Sequence, residues 1–141
     1  YQYFDSYKDM NQITNITFPC ADKAEYKDIA VDIIPEYCEG HVSAQIIYND
    51  VSYNVNGMYT TKGFSQESWG YGVNNAKTVE KHKYGNGKNA YFVENNDGHK
   101  IVYFVEENIL FQMNFNNGTN IKNGDATATR EQAEKLLTLF S

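Results

Sequence analysis

The chain is 141 residues long, with 41% hydrophobic and 21% charged residues, and this balance fits one folded domain rather than a disordered segment. Its net charge of −6 argues against a nucleic-acid partner, whose backbone needs a concentrated basic surface, and against adhesion to anionic lipid. No apolar run reaches the ~18 residues of a membrane span, and the chain opens on Tyr1 rather than Met, so processing or truncation is expected and any leader or anchor would lie outside it.

Taken from the start, Asp5-Ser6-Tyr7-Lys8-Asp9-Met10 predicts a short helix, with Asp5 or Ser6 as its N-cap. Ile13 to Phe18 reads as a strand ended by Pro19. From Tyr26 to Tyr37, the residues Ile29, Val31 and Ile33 recur at period two, the pattern of a half-buried strand that Pro35 would bend or place at an edge. Glu39-Gly40 is expected to turn the chain into a strand from Val42 to Tyr48, and Asn49-Asp50 into another from Val51 to Tyr59. Thr60 to Asn75 reads as a loop with a short strand around Trp69 and Tyr71.

Val79 to Tyr84 is a further strand, closed by Gly85-Asn86-Gly87. Ala90 to Glu94 and Ile101 to Glu106 flank Asp97-Gly98, a strong hairpin dipeptide. Glu107-Asn108 then turns into Ile109 to Phe115, where Ile109, Phe111, Met113 and Phe115 share one face and Gln112 and Asn114 the other. After a polar loop from Asn116 to Asp125, Thr129 and Gln132 form a capping box. Ala133, Leu136, Leu137 and Phe140 follow the helical i, i+3, i+4, i+7 pattern, and this stripe must be buried, most simply on the meander. The expected fold class is α+β: one domain over 1–141, with a curved antiparallel sheet against a C-terminal helix and a short N-terminal helix.

No spacing points to catalysis, a metal or a cofactor. His41, His82 and His99 lie in no metal-binding motif, and no nucleophile elbow or phosphate-cradling loop is present. Glu106-Glu107 reads as the polar end of a hairpin, its two side chains pointing to opposite faces. Cys20 and Cys38, eighteen positions apart, leave two choices, one disulfide or two buried thiols. The aromatic content is the remaining signal: 12 Tyr and 8 Phe beside a single Trp. Cross-strand core packing accounts for much of it. The sharper reading is a ligand surface formed by Tyr53, Tyr59, Trp69, Tyr71 and Tyr84 on the sheet.

The order of segments is also familiar. The opening Asp5-to-Met10 segment precedes a strand ending Phe18-Pro19; an Ala44-Gln45-Ile46-Ile47-Tyr48 strand follows, then the Lys100-to-Phe115 hairpin and the final helix beginning Thr129-Arg130-Glu131-Gln132. In this the chain resembles an uncharacterised extracytoplasmic domain family of Gram-positive bacteria. Members of that family occur as lipoproteins and as outer domains of membrane-anchored, anti-sigma-like proteins. The resemblance implies a cell-surface or secreted location, a sensing or interaction role and no catalytic residues.

The first expectation is therefore a non-catalytic extracytoplasmic binding or sensory domain. Its ligand would be a protein segment or an apolar molecule, and it would meet the membrane only through an anchor missing from this chain. A glycan-binding module of a secreted protein is the second. An enzyme whose site is assembled from distant His and carboxylate residues is the third.

Overall fold

A computed structural model describes residues 2–6, 16–34, 36–64, 76–116 and 127–141. Eight strands follow the chain: β1 (Gln2–Ser6), β2 (Glu25–Ile34), β3 (Glu39–Tyr48), β4 (Val51–Thr60), β5 (Ala76–Tyr84), β6 (Lys88–Asn95), β7 (Lys100–Glu106) and β8 (Ile109–Asn116). A two-residue strand, β9 (Ala128–Thr129), leads into helix α1 (Arg130–Leu137), which ends in a 3-10 turn over Thr138–Phe140. The sheet order is β1-β2-β3-β4-β8-β7-β6-β5. Two antiparallel four-stranded meanders thus meet along their last strands, β4 and β8.

This corrects the expected α+β class. Strand accounts for about 62% of the described residues, against one short C-terminal helix among them. Among the described residues no N-terminal helix is found: Asp5 and Ser6 belong to β1 instead, and residues 7–10 lie outside the described residues. The physical reason is visible at Tyr3 and Phe4. Tyr3 is exposed and Phe4 buried, a period-two split, and β2 offers its edge to that segment through the pairs Tyr3↔Ala30 and Phe4↔Ile29. Ladder bonds plus one buried ring outweigh an isolated helical turn. Of the strand expected from Ile13 to Phe18, residues 16–18 carry no regular structure; 7–15 and Pro35 lie outside the described residues. Glu39-Gly40 is not a turn but the start of β3, the turn falling at 36–38. The β6–β7–β8 meander, the Gly85-Asn86-Gly87 turn and the capping box are as expected, and β5 adds a fourth strand to that meander.

Side chains on one face of the sheet and on α1 form the main core. Ile109, Phe111, Met113 and Phe115 all point into it from β8. Ala133, Leu136 and Leu137 of α1 and Leu139 and Phe140 of the 3-10 turn close it from the other side. Phe140 lies 5.5 Å from Phe104 and 6.4 Å from Phe111, and those two rings stack at 5.1 Å.

Two irregularities set which residues face this core. Lys27 pairs with Gln45 but Ala30 pairs with Ser43, so β2 carries one extra residue. Asp28 absorbs it with φ of 49°, a bulge conformation that Asp tolerates better than most residues. Without it, Tyr26 and Ile29 would point to opposite faces; with it, both are buried. At the seam, Gly57 is required by close approach. A Cβ there would lie 2.6 Å from Ile109 Cγ2 and 3.1 Å from Val42 Cγ2.

The C-terminus is also held by charge. The Lys88 ammonium donates to the Glu106 carboxylate at 2.7 Å and to the Phe140 carbonyl, and the Tyr84 hydroxyl donates to the same carboxylate at 2.8 Å. Glu106 is only 9% exposed. Removing Lys88 would leave a buried carboxylate without its cation.

Two predictions follow from this packing. Leu136→Ala, at a site with no exposed surface, should cost about 2–5 kcal/mol in chemical denaturation. Lys88→Met should destabilise by about 3 kcal/mol, and the double variant Lys88→Met/Glu106→Leu should recover much of that loss, because the stranded charge rather than the missing bond dominates the cost.

Candidate functional site

With the core on the helix-facing side, the opposite face is the one available to a ligand, and the ladders define it residue by residue. A cross-strand row runs over the full breadth of the sheet: Tyr3, Ala30, Ser43, Asn56, Gln112, Tyr103, Tyr91 and Lys81 are successive direct partners. The row has two halves of different character. Toward β5, Tyr91 and Tyr103 pack with Val93 into a second buried cluster, with Ala76 and Ile101 against it. Burial pushes the Tyr103 phenol above its ordinary pKa. That half of the face is filled. Toward β1 the row stays open, and only small side chains, Ala30 and Ser43, lie between the exposed Tyr3 ring and the carboxamides of Asn56 and Gln112.

The open half contains two adjoining depressions that share Asn56 and Gln112. One, of 440 Å³, runs from Tyr3 past Ala30, His41 and Ser43. The other, of 390 Å³, lies at a fork between the two meanders. β4 and β8 pair only from Asn56↔Gln112 to Tyr59↔Ile109. Beyond that point they separate, and the end of β8 takes β9 as a parallel partner instead. Asn54 on β4 and Asn114 on β8 flank the gap, with Thr127 and Ala128 also lining it.

The polar groups of this trough are mostly amides, set beside the apolar Ile101, Met113, Ala128 and Val42 and the imidazole of His41. Asn54, Asn56, Gln112 and Asn114 supply carboxamides, and Ser43 and Thr127 hydroxyls. Among the described residues those four carboxamides make no side-chain hydrogen bond to one another or to neighbours. Each therefore offers both donors and an acceptor outward. Among the described residues, no Asp, Glu, Lys or Arg lines either depression.

The aromatic residues singled out from the sequence are placed elsewhere. Tyr53 and Tyr84 are buried on the helix-facing side, and Tyr59 packs against the same core. Burial, and after it the neighbouring Tyr48, raises the pKa of Tyr53. Trp69 and Tyr71 lie outside the described residues. The face opposite the helix instead carries Tyr3 on its open half and Tyr91 and Tyr103 on its filled half. Alternation with the core-facing Ile109, Phe111 and Met113 is the signal that marks Gln112 and Asn114 as belonging to the other face.

The titratable residues do not converge on the trough. His41 borders it from β3. His82 lies 3.8 Å from Glu134 of α1, on the other side of the sheet. His99 sits in the β6–β7 turn, where its backbone N–H and then its ring hold the Asp97 carboxyl below the usual range. No disulfide joins Cys20 and Cys38; Cys20 is half-buried and Cys38 exposed. Burial pushes the Cys20 thiol up, away from nucleophilic reactivity. Among the described residues, no three His, Cys, Asp or Glu side chains are grouped to hold a metal ion, and no helix is long and apolar enough to cross a membrane.

A charged cluster secures the other end of α1. Arg130 lies 3.7 Å over the Phe92 ring, chelates Glu80 with two nitrogens at 2.9 and 3.1 Å and reaches Glu134 at 3.1 Å. The guanidinium is disfavoured by burial, but the hydrogen bonds it donates to Glu80 and Glu134 outweigh this and raise its pKa; in return Arg130 lowers that of Glu80. A carboxyl depressed in the folded state stabilises above its unfolded pKa and loses that contribution as pH falls through the folded value. Glu80→Gln should therefore lower the melting temperature at pH 7, and the gap from the parent protein should close below about pH 4.

No protein-family model, curated protein or solved structure matches the chain.

Proposed function

We propose that the chain is a non-catalytic binding domain that takes a neutral, polar ligand in the amide-lined trough opposite α1. The observation that supports this most directly is the lining itself: four carboxamides open to the ligand side, hydroxyls beside them, and no formal charge among the described lining residues. An ionic ligand would find no counter-charge there. An apolar ligand would cover carboxamides without satisfying them, at about 1–3 kcal/mol for each stranded group. A neutral ligand rich in donors and acceptors meets neither penalty. Among the described residues, the dispersed His and carboxylate positions offer no nucleophile and base in contact at the trough, which favours binding over turnover.

The proposal includes a location outside the cytoplasmic membrane, in a secreted or membrane-anchored bacterial protein. The resemblance described from the sequence supports that part. A full-length gene with neither a signal peptide, a lipobox nor a membrane span would exclude it.

The binding function is tested by titrating isotope-labelled protein with uncharged oligosaccharides, with an uncharged Gly-Ser-Asn peptide and with a short-chain alcohol. Ligand-dependent shifts should concentrate on the side-chain amide signals of Asn54, Asn56, Gln112 and Asn114. Shifts confined to the surface of α1, or none with any probe, would remove the trough from consideration as a binding surface.

A further inference from the structure

Resting on that reading, we infer that the trough is a glycan track, binding a linear, uncharged oligosaccharide laid across the strands, with Tyr3 as the stacking platform at its open end. The first reason is direction. The row Tyr3–Ala30–Ser43–Asn56–Gln112 runs perpendicular to the strands, through successive ladder partners. Four inter-strand steps of ~4.8 Å make it about 19 Å long. A peptide lying along this row would cross the strands at right angles and gain no ladder hydrogen bonds, the source of affinity when peptides add to a sheet. A sugar chain needs no backbone ladder.

The second reason is matching chemistry. A sugar hydroxyl both donates and accepts, and a carboxamide does the same with two donors and one acceptor oxygen. Asn56 and Gln112 face each other directly across β4 and β8, so their groups lie close enough to grip neighbouring hydroxyls of one ring. Asn54 and Asn114 extend the same amides into the fork.

The third reason is the ring at the edge. Tyr3 is 77% exposed, and it sits at the end of the row where the floor falls away to Ala30 and Ser43. The apolar face of a pyranose, carrying axial C–H groups, lies flat on such a ring while its equatorial hydroxyls reach sideways. The small floor residues leave room for the sugar's thickness; a larger side chain at Ser43 would fill it.

The test uses the full chain with cellohexaose and chitohexaose as probes and the Gly-Ser-Asn peptide as comparator, read by calorimetry and by the side-chain amide signals. At least one of the two sugars should bind and shift Asn56 and Gln112. Asn56→Ala, Gln112→Ala and Tyr3→Ala should each weaken that binding by about tenfold or more, whereas Tyr3→Phe should keep it, because the ring rather than the hydroxyl makes the contact. Lys83→Ala, at an exposed position on the edge strand β5, is the control and should bind as the parent does. Circular dichroism of each variant separates lost binding from lost folding. Binding of the peptide alone at the same amides would overturn the glycan assignment and leave the trough as a binding surface. Failure of both sugars and the peptide to shift the trough would overturn both readings. Sugar binding that survives Tyr3→Ala and Gln112→Ala would also overturn the track as drawn.

Discussion

The arrangement depends on one contact, the seating of Phe140 against the stacked rings of Phe104 and Phe111. A sheet of this length has two faces, and in an antiparallel sheet one of them must be covered by something apolar. Among the described residues, a short amphipathic helix with its terminal turn does this here, together with Ile16 and Phe18 of the segment before β2. The contact is extended by Leu136, Leu137 and Leu139, all almost fully buried. At the far end it is clamped by Lys88, which ties the Phe140 carbonyl to the buried Glu106. Arg130 on Phe92 and Glu80 holds the near end. The chain's last dozen residues, with Ile16 and Phe18, therefore cover the face of the sheet that is core.

That choice decides which side chains line the trough. Once α1 occupies one face, every residue out of phase with Phe104 and Phe111 is turned to the other. On β6 and β7 those residues are apolar or aromatic enough to form a second small cluster around Tyr91, Val93 and Tyr103, with Ala76 of β5 packed against it. On β3, β4 and the end of β8 they include Ser43, Gln45, Asn54, Asn56, Gln112 and Asn114, with His41, Ile47, Ser52 and Met58 on the same face. The boundary between the filled and the open half falls at Gln112, which pairs with Tyr103 on one side and Asn56 on the other. The fork is a consequence of joining two meanders along a short ladder. Beyond Gln112 and Asn56 the two strands part, and a depression forms where a continuous sheet would have none.

Electrostatics separates the two faces as well. The charged contacts that join distant elements, Lys88–Glu106 and Arg130–Glu80, lie on the helix-facing side and serve attachment. The trough has carboxamides and hydroxyls instead. In a chain with net charge −6, an uncharged lining spares a neutral ligand the cost of desolvating fixed charges on binding.

The sequence by itself determined most strands and the final helix. Ile109, Phe111, Met113 and Phe115 alternate with Gln112 and Asn114, and a period of two has only one structural meaning in so short a run. The Thr129–Gln132 box and the spacing of Ala133, Leu136 and Leu137 mark the helix equally locally. Tertiary structure decided the rest, because the competing energies are not local. Asp5 and Ser6 have helix-cap chemistry, yet β2 offers their segment a ladder that no local pattern reveals. Glu106 read as a solvent-facing hairpin end, but Lys88 and Tyr84, eighteen and twenty-two residues away, make its burial tolerable. Asp28 holds a bulge that only the β2–β3 register exposes. Tyr53 and Tyr84 looked suited to a ligand surface, since tyrosine packs as well as it binds; which it does depends on the face the helix covers. The trough itself joins residues from β1 to β8, and their meeting in one row follows from strand order, a property of the whole sheet rather than of any segment.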